Sequence, residues 1–269
     1  IGSVYAWSVL TRPIMADMGF TLSQTTWTFS LAILMLGLSA GFLGSFAEKI
    51  GPKKSGLLAM LFWVTGLLGT AYALSIHNLT LLYLFYGIIG GIGLGIGYIT
   101  PVSTLVKYFP NHPGFATGLA IMGFGFASLI AGPLMQFLVA QFGLVNNFII
   151  LGVIYLVIMS ASSLYLKAPQ PKHPTRTTKD KSTMYVHTHG MLANDAMKTW
   201  QFGALWWVFF INITCGIGLL SLASPMAQEA IGMTPTAAAS LVGIIGIFNG
   251  GGRIAWSTIS DYLGRAQTY

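Results

Sequence analysis

The chain has 269 residues, 54% of them hydrophobic and only 7% charged, with a mean hydropathy of +0.72. A soluble domain carries about 25% charged residues, so this composition excludes one and indicates a polytopic membrane protein, with lipid as the solvent of most side chains. The net charge of +7 does not indicate a nucleic-acid partner, because the basic residues sit in short loops between apolar runs rather than on one patch.

Apolar runs long enough to cross a bilayer occur about eight times. The first, 1–15, opens abruptly inside an apolar stretch with no cleavable signal peptide, which reads as a span whose beginning is missing. The others cover 25–47, 55–76, 79–108, 114–142, 144–167, 202–227 and 236–259. Span 4 is dense in glycine, with Gly87, Gly91 and Gly95 one turn apart. The run does not match Gly-x-Gly-x-x-Gly and follows no strand, so it is read as a surface that lets a neighbouring helix approach closely. Gly216, Gly218 and Pro225 in span 7 suggest a bend that gates access.

Between spans 6 and 7, residues 168–201 read as the one linker. Pro169, Pro171 and Pro174 break any helix, 175–183 is polar and basic, and 191–200 could form a short amphipathic surface helix. His173, His187 and His189 lie here, but no Cys or carboxylate arrangement accompanies them, so no metal site is expected. The single Cys215 lies in an apolar run and forms no intrachain disulfide. The organisation expected is a six-helix bundle over 1–167, a basic linker over 168–201, and the start of a second bundle over 202–269.

Charge sets the expected orientation. Eleven of the 13 Lys and Arg residues, all but Arg12 and Arg253, fall on one side of an alternating topology. That asymmetry assigns them to the cytoplasm and makes the N-terminus cytoplasmic. The opposite loops carry Asp17, His77 and Glu229. A multi-pass protein of the cell (inner or plasma) membrane follows.

A weak internal repeat marks the basic side. Gly44-x-x-x-Glu48-Lys49-x-Gly51-Pro52-Lys53-Lys54 follows span 2, and Ser257-x-x-x-Asp261-Tyr262-x-Gly264-Arg265 follows span 8. Each sets a small residue, an acid four later, a Gly three after that, and a base close behind. Both stand at the same end of the second span of a six-span unit, as expected of parallel repeats. Glu48 and Asp261 lie near helix ends, where a carboxylate can cap a helix or pair with a loop base, and so are read as conformational latches.

Arg253 is the sharpest single residue. At about 1.5 Å per residue it lies roughly 12 Å inside the position of Asp261. Arginine at such depth costs about 2.5–3.5 kcal/mol on insertion scales and usually faces a cavity. Its planar fork matches a carboxylate. The alternative is an arginine snorkelling to the interface or paired with Asp261. Trp7, two residues from Tyr5, points elsewhere and reads as packing.

These residues resemble a known family. Gly44 to Lys54 looks like the loop 2–3 signature of the major facilitator superfamily, with Glu48 in place of the usual Asp. Gly123-Phe-Gly125 followed by Gly132-Pro133 looks like its antiporter-associated Gly-Pro motif. More narrowly, Tyr5-Ala-Trp-Ser, Ser224-Pro-Met-Ala-Gln-Glu229, and Asn249-Gly-Gly-Gly-Arg253 running to Ser260-Asp261 resemble the oxalate/formate antiporter family. The resemblance implies an all-α, twelve-span, two-bundle carrier of which this chain supplies about eight spans, so a fragment is expected. A span 11 lysine that accompanies the span 8 arginine in that family has no counterpart here, and Tyr262 replaces a usual Arg.

The implied function is a secondary transporter of small carboxylates working by alternating access, and the resemblance places Tyr5 and Tyr98 in cavity-facing spans, which makes them second candidates: a phenol can donate to a carboxylate while its ring excludes water. No acidic residue lies deep in a span, which favours anion exchange over proton symport. A proton-coupled monocarboxylate symporter and a transporter-like anion sensor stay open. No nucleophile set, paired carboxylate site or metal cluster is legible, so neither an enzyme nor a cofactor is expected. The expected partners are a small carboxylate anion and the lipid bilayer, with the carrier a monomer.

Overall fold

The computed structural model describes residues 1–168 and 193–268. The prolines and histidines assigned to the linker fall outside those residues, as do four of its basic side chains. Among the described residues every regular element is helical, the arrangement that satisfies backbone polar groups within one segment when lipid offers no partner.

A 3-10 turn, Gly2–Ala6, leads into α1, Ser8–Met18. Helix α2 spans Leu22–Ile50 and α3 spans Pro52–Ser75. Span 4 starts as α4, Leu79–Leu82, widens into a π-helical stretch over Tyr83–Gly90, and continues as α5, Gly91–Tyr108. Helix α6 covers Pro113–Tyr165 but breaks at Gly143 (φ 81°, ψ 170°). Its 53 residues amount to about 80 Å of helix against a hydrocarbon layer of about 30 Å. The break therefore separates two passes, spans 5 and 6. Then come α7, Ala193–Ala196, α8, Trp200–Ala230, α9, Pro235–Leu263, and α10, Arg265–Thr268.

The helix starts follow from local chemistry. Thr21 and Gln24 form a reciprocal capping box on α2. Asn78 and Thr234 cap α4 and α9, each accepting from a backbone N–H three residues on. Proline stands in the first turn of α3, α6 and α9, where its missing N–H is not needed.

The chain divides into two compact units, Ile1–Pro169 with Leu220–Tyr269, and Gln170–Leu219. The first has an aromatic core drawn from spans 1, 3, 4 and 6. Trp7 lies against Tyr86 at 4.3 Å with the rings tilted by 40°, and Trp63 and Phe148 meet Tyr86 edge-on at 5.7 and 6.2 Å. Trp7 is fully buried there. Gly87, Gly91 and Gly95 of span 4 face α2: a Cβ at Gly91 would lie 2.6 Å from Met35 Cβ, and one at Gly95 would strike Ser39. In the second unit, α8 presents Trp206 stacked on Phe210 at 5.1 Å. Helix α8 is helical throughout, Pro225 included, so the glycines and proline of span 7 do not interrupt it. Of the amphipathic helix read over 191–200, the described residues form only the single turn of α7.

Candidate functional site

Arg253 lies within α9 with its guanidinium held on two sides. Its Nε–H donates to Asn249 Oδ1 at 3.0 Å, one helical turn earlier. Its Nη2 donates to the Tyr5 hydroxyl at 3.3 Å, and Cζ lies 5.8 Å from the Tyr5 ring centroid. Tyr5 is buried because the 3-10 turn packs on α6, where a Cβ at Gly2 would lie 2.7 Å from Phe124 Cα. Phe124 joins the two tyrosines, its ring 5.8 Å from Tyr5 and 5.4 Å from Tyr98. The structure thus brings Arg253, Tyr5 and Tyr98 to one place from three elements, with Phe124 between the phenols.

The pairing of Arg253 with Asp261 is not observed. Asp261 pairs instead with Arg265, at 2.8 Å. Among the described residues Arg253 makes no ion pair, and its remaining guanidinium N–H groups have no protein partner. A half-buried cation held by neutral groups keeps its full charge available, the electrostatic condition for an anion site.

Two turns further along, Asp261 makes a second arrangement. Its carboxylate, nearly completely buried, accepts from Gly114 N at 2.9 Å and Phe115 N at 2.8 Å. Those are amides of the first turn of α6, which have no partner within their own helix. Arg265 also donates to Ser260 Oγ. Close approach depends on glycine. A Cβ at Gly114 would lie 2.6 Å from Asp261 Oδ1, and one at Gly118 would lie 2.7 Å from the carbonyl of Arg253. One further along, at Gly125, would strike the backbone of Gly250. The turn that carries Arg253 is therefore packed backbone to backbone on span 5.

The first copy of the signature is placed differently. Glu48 is exposed and pairs with Lys107 of span 4 at 3.2 Å. Lys49, Lys53 and Lys54 are exposed and make no ion pair among the described residues. Gly44 packs on Ile99. A cavity of about 70 Å³ beside Glu48 is lined by Gly51, Pro52, Thr100, Ser103 and Lys107, and none of the Arg253 cluster reaches it. The two turn glycines share one backbone state, Gly51 at φ 82°, ψ 160° and Gly264 at φ 90°, ψ 153°. That region is essentially restricted to glycine.

At the opposite end, Arg12 of α1 donates to Gln228 Oε1 at 3.1 Å and lies 3.4 Å from Glu229 Oε1 on α8. Sequence reasoning left this contact out, together with the roles of Asn249, Phe124 and Lys107. Asn249 was findable, since it stands four residues before Arg253 on one helix face. The others depend on contacts between distant segments.

A family model described as Major Facilitator Superfamily matches residues 1–269. The chain is 29% identical over 269 residues to the MFS-type transporter YhjX of Escherichia coli (strain K12), a match covering 99% of this chain and 64% of that protein. It is 26% identical over 268 residues to the oxalate:formate antiporter of Oxalobacter formigenes, covering 99% and 61%. Against monocarboxylate transporter 14 of Homo sapiens, identity is 26% over 174 residues, covering 65% and 34%. The chain thus spans just under two thirds of the length of the first two relatives.

Proposed function

Because the chain belongs to the Major Facilitator Superfamily, we propose that it is part of a secondary transporter of small carboxylate anions that works by alternating access around Arg253. The chain is an all-α, multi-pass membrane protein. The observation that carries the reading is the state of Arg253: an arginine inside a membrane helix, oriented by Asn249 and Tyr5, with no carboxylate of the described residues against it. A carboxylate arriving there removes the cost of the uncompensated cation, so binding energy comes from the ligand itself. Tyr5 and Tyr98 supply hydroxyl donors and ring walls. The similarity to an oxalate:formate antiporter and to monocarboxylate transporters points to the same class of substrate.

The latch reading extends this. Residues 1–167 form the first bundle and 202–269 begin the second, joined by the linker. The basic loops face the cytoplasm of a cell that carries the protein in its plasma or inner membrane, as a monomer. Asp261 on the first turn of α6 then holds the cytoplasmic ends of spans 5 and 8 together. Opening toward the cytoplasm requires those two bonds to part. A ligand drives that change only as far as it binds the two states differently.

Exchange of one anion for another is preferred to proton symport. Among the described residues the one buried carboxylate is Asp261, which is engaged at a helix end. The likeness to monocarboxylate transporters favours symport as the second reading. The complete natural protein in proteoliposomes decides between them. Labelled oxalate, formate and lactate are offered with and without internal anion, and with and without a pH gradient. Exchange predicts uptake that requires internal anion and ignores the gradient. Gradient-driven uptake into anion-free vesicles selects symport, and binding without flux selects a sensor.

A further inference from the structure

We infer that Asn249 is a positioning residue that decides which edge of the Arg253 guanidinium receives the carboxylate. The inference rests on the carrier reading above.

A guanidinium has five N–H groups on three nitrogens. A carboxylate can dock bidentately on the side edge, Nε with one terminal nitrogen, or on the end edge, the two terminal nitrogens. Here Nε–H is already given to Asn249 Oδ1 at 3.0 Å. The side edge is therefore closed. Nη2 spends one proton on the Tyr5 hydroxyl. Both protons on Nη1 and one on Nη2 remain, so an incoming carboxylate meets the tip of the side chain and lies beyond Cζ. It then sits by the Tyr5 ring, which Phe124 and Tyr98 back.

The residue type matters. Asn249 and Arg253 are one turn apart on one face of α9, so the contact is kept whenever the helix is intact. An amide oxygen orients the guanidinium and leaves its charge uncancelled. An aspartate at the same position would accept the same proton and also act as a tethered anion competing with the ligand. Because Oδ1 faces Nε, the Asn249 Nδ2 group remains a neighbouring donor. It has no hydrogen-bond partner among the described residues. The ligand class that follows is a small anion with one unhindered carboxylate presented end-on.

The test is substitution at 249 in the complete natural protein, with uptake kinetics of labelled oxalate and formate in proteoliposomes. Asn249→Leu removes the acceptor at similar volume and is expected to raise KM about tenfold, the worth of one hydrogen bond to a charged group, while Vmax stays within about twofold of the parent. Asn249→Asp is expected to raise KM by about 100-fold or more, through like charge beside the ligand. Asn249→Gln, which keeps an acceptor, recovers part of the affinity. Asn249→Ser is polar but too short to reach Nε, and it gives the same reading where the Leu variant does not fold. Unchanged KM in the Leu or Ser variant overturns the inference, as does a fall confined to Vmax. Arg253→Gln runs in the same series. A parent that takes up no carboxylate, or an Arg253→Gln variant that transports normally, overturns the carrier reading instead.

Discussion

The two copies of the basic-side signature have the same turn and opposite surroundings. After α2 and after α9 the chain reverses through a glycine in the same rare backbone state, Gly51 and Gly264. Three residues earlier stands an acid in each. Glu48 is exposed and makes one ion pair with Lys107 within the first bundle. Asp261 is buried, bonded to two backbone amides of α6 and to Arg265. The comparison separates two contributions. The glycine and the acid are set by local sequence, whereas the energetic weight of the acid depends on whether another helix brings it unpaired amides.

That difference predicts unequal consequences of similar substitutions. Asp261→Asn is expected to have the largest effect. One amide proton of Gly114 or Phe115 would face an NH2 group, and Arg265 would lose its counter-ion, at about 2–4 kcal/mol. Its signature is faster labelling of a cysteine placed at Ser257, in a Cys215→Ser background, by a thiol reagent from the basic side. Labelling at the parental rate would remove the latch role. Gly114→Ala comes next. Its Cβ would lie 2.6 Å from both Asp261 Oδ1 and the Arg265 guanidinium, so α9 must back away by a few tenths of an ångström or more. A loss of about 1–3 kcal/mol is expected, read as a lower melting temperature together with the same increase in labelling. Glu48→Gln is the smallest. An exposed pair contributes about 0–1 kcal/mol, so the melting temperature should stay within error of the parent. A Glu48 effect as large as that of Asp261 would contradict the comparison.

Much of the fold was legible in the sequence because lipid leaves few alternatives. Apolar runs fixed the passes, and the boundary drawn between spans 5 and 6 falls at Gly143. The Gly51 and Gly264 turns were marked by their spacing. The close face of span 4 was visible in its four-residue glycine period, and its side against α2 is where the structure puts Gly91 and Gly95. The π-helical widening over Tyr83–Gly90 was not legible. Nothing in local propensity distinguishes it, and it forms where span 4 packs simultaneously on α2 and α3. The partners of charged groups were equally hidden. Asp261 meets amides 146 and 147 residues away, and Arg12 meets Glu229 across 217. Charge and spacing showed that these residues stand near helix ends. Only the packing of α9 on α6, and of α1 on α8, shows what each one touches.

The site follows the same division. Depth and residue type singled out Arg253, and a resemblance raised Tyr5 and Tyr98. Their meeting depends on Phe124 and on the burial of the 3-10 turn against α6. Asn249 lay within reach of sequence reasoning, one turn from the arginine it orients.

The most direct measurement of the central claim is uptake of labelled oxalate and formate by the complete natural protein carrying Arg253→Lys or Arg253→Gln, in proteoliposomes of matched protein content. The Lys variant keeps the charge but loses the fork that Asn249 and Tyr5 hold, and is predicted to lose most of the kcat/KM; the Gln variant is predicted to fall to background. Uptake near the parental rate in both would contradict an anion site at Arg253.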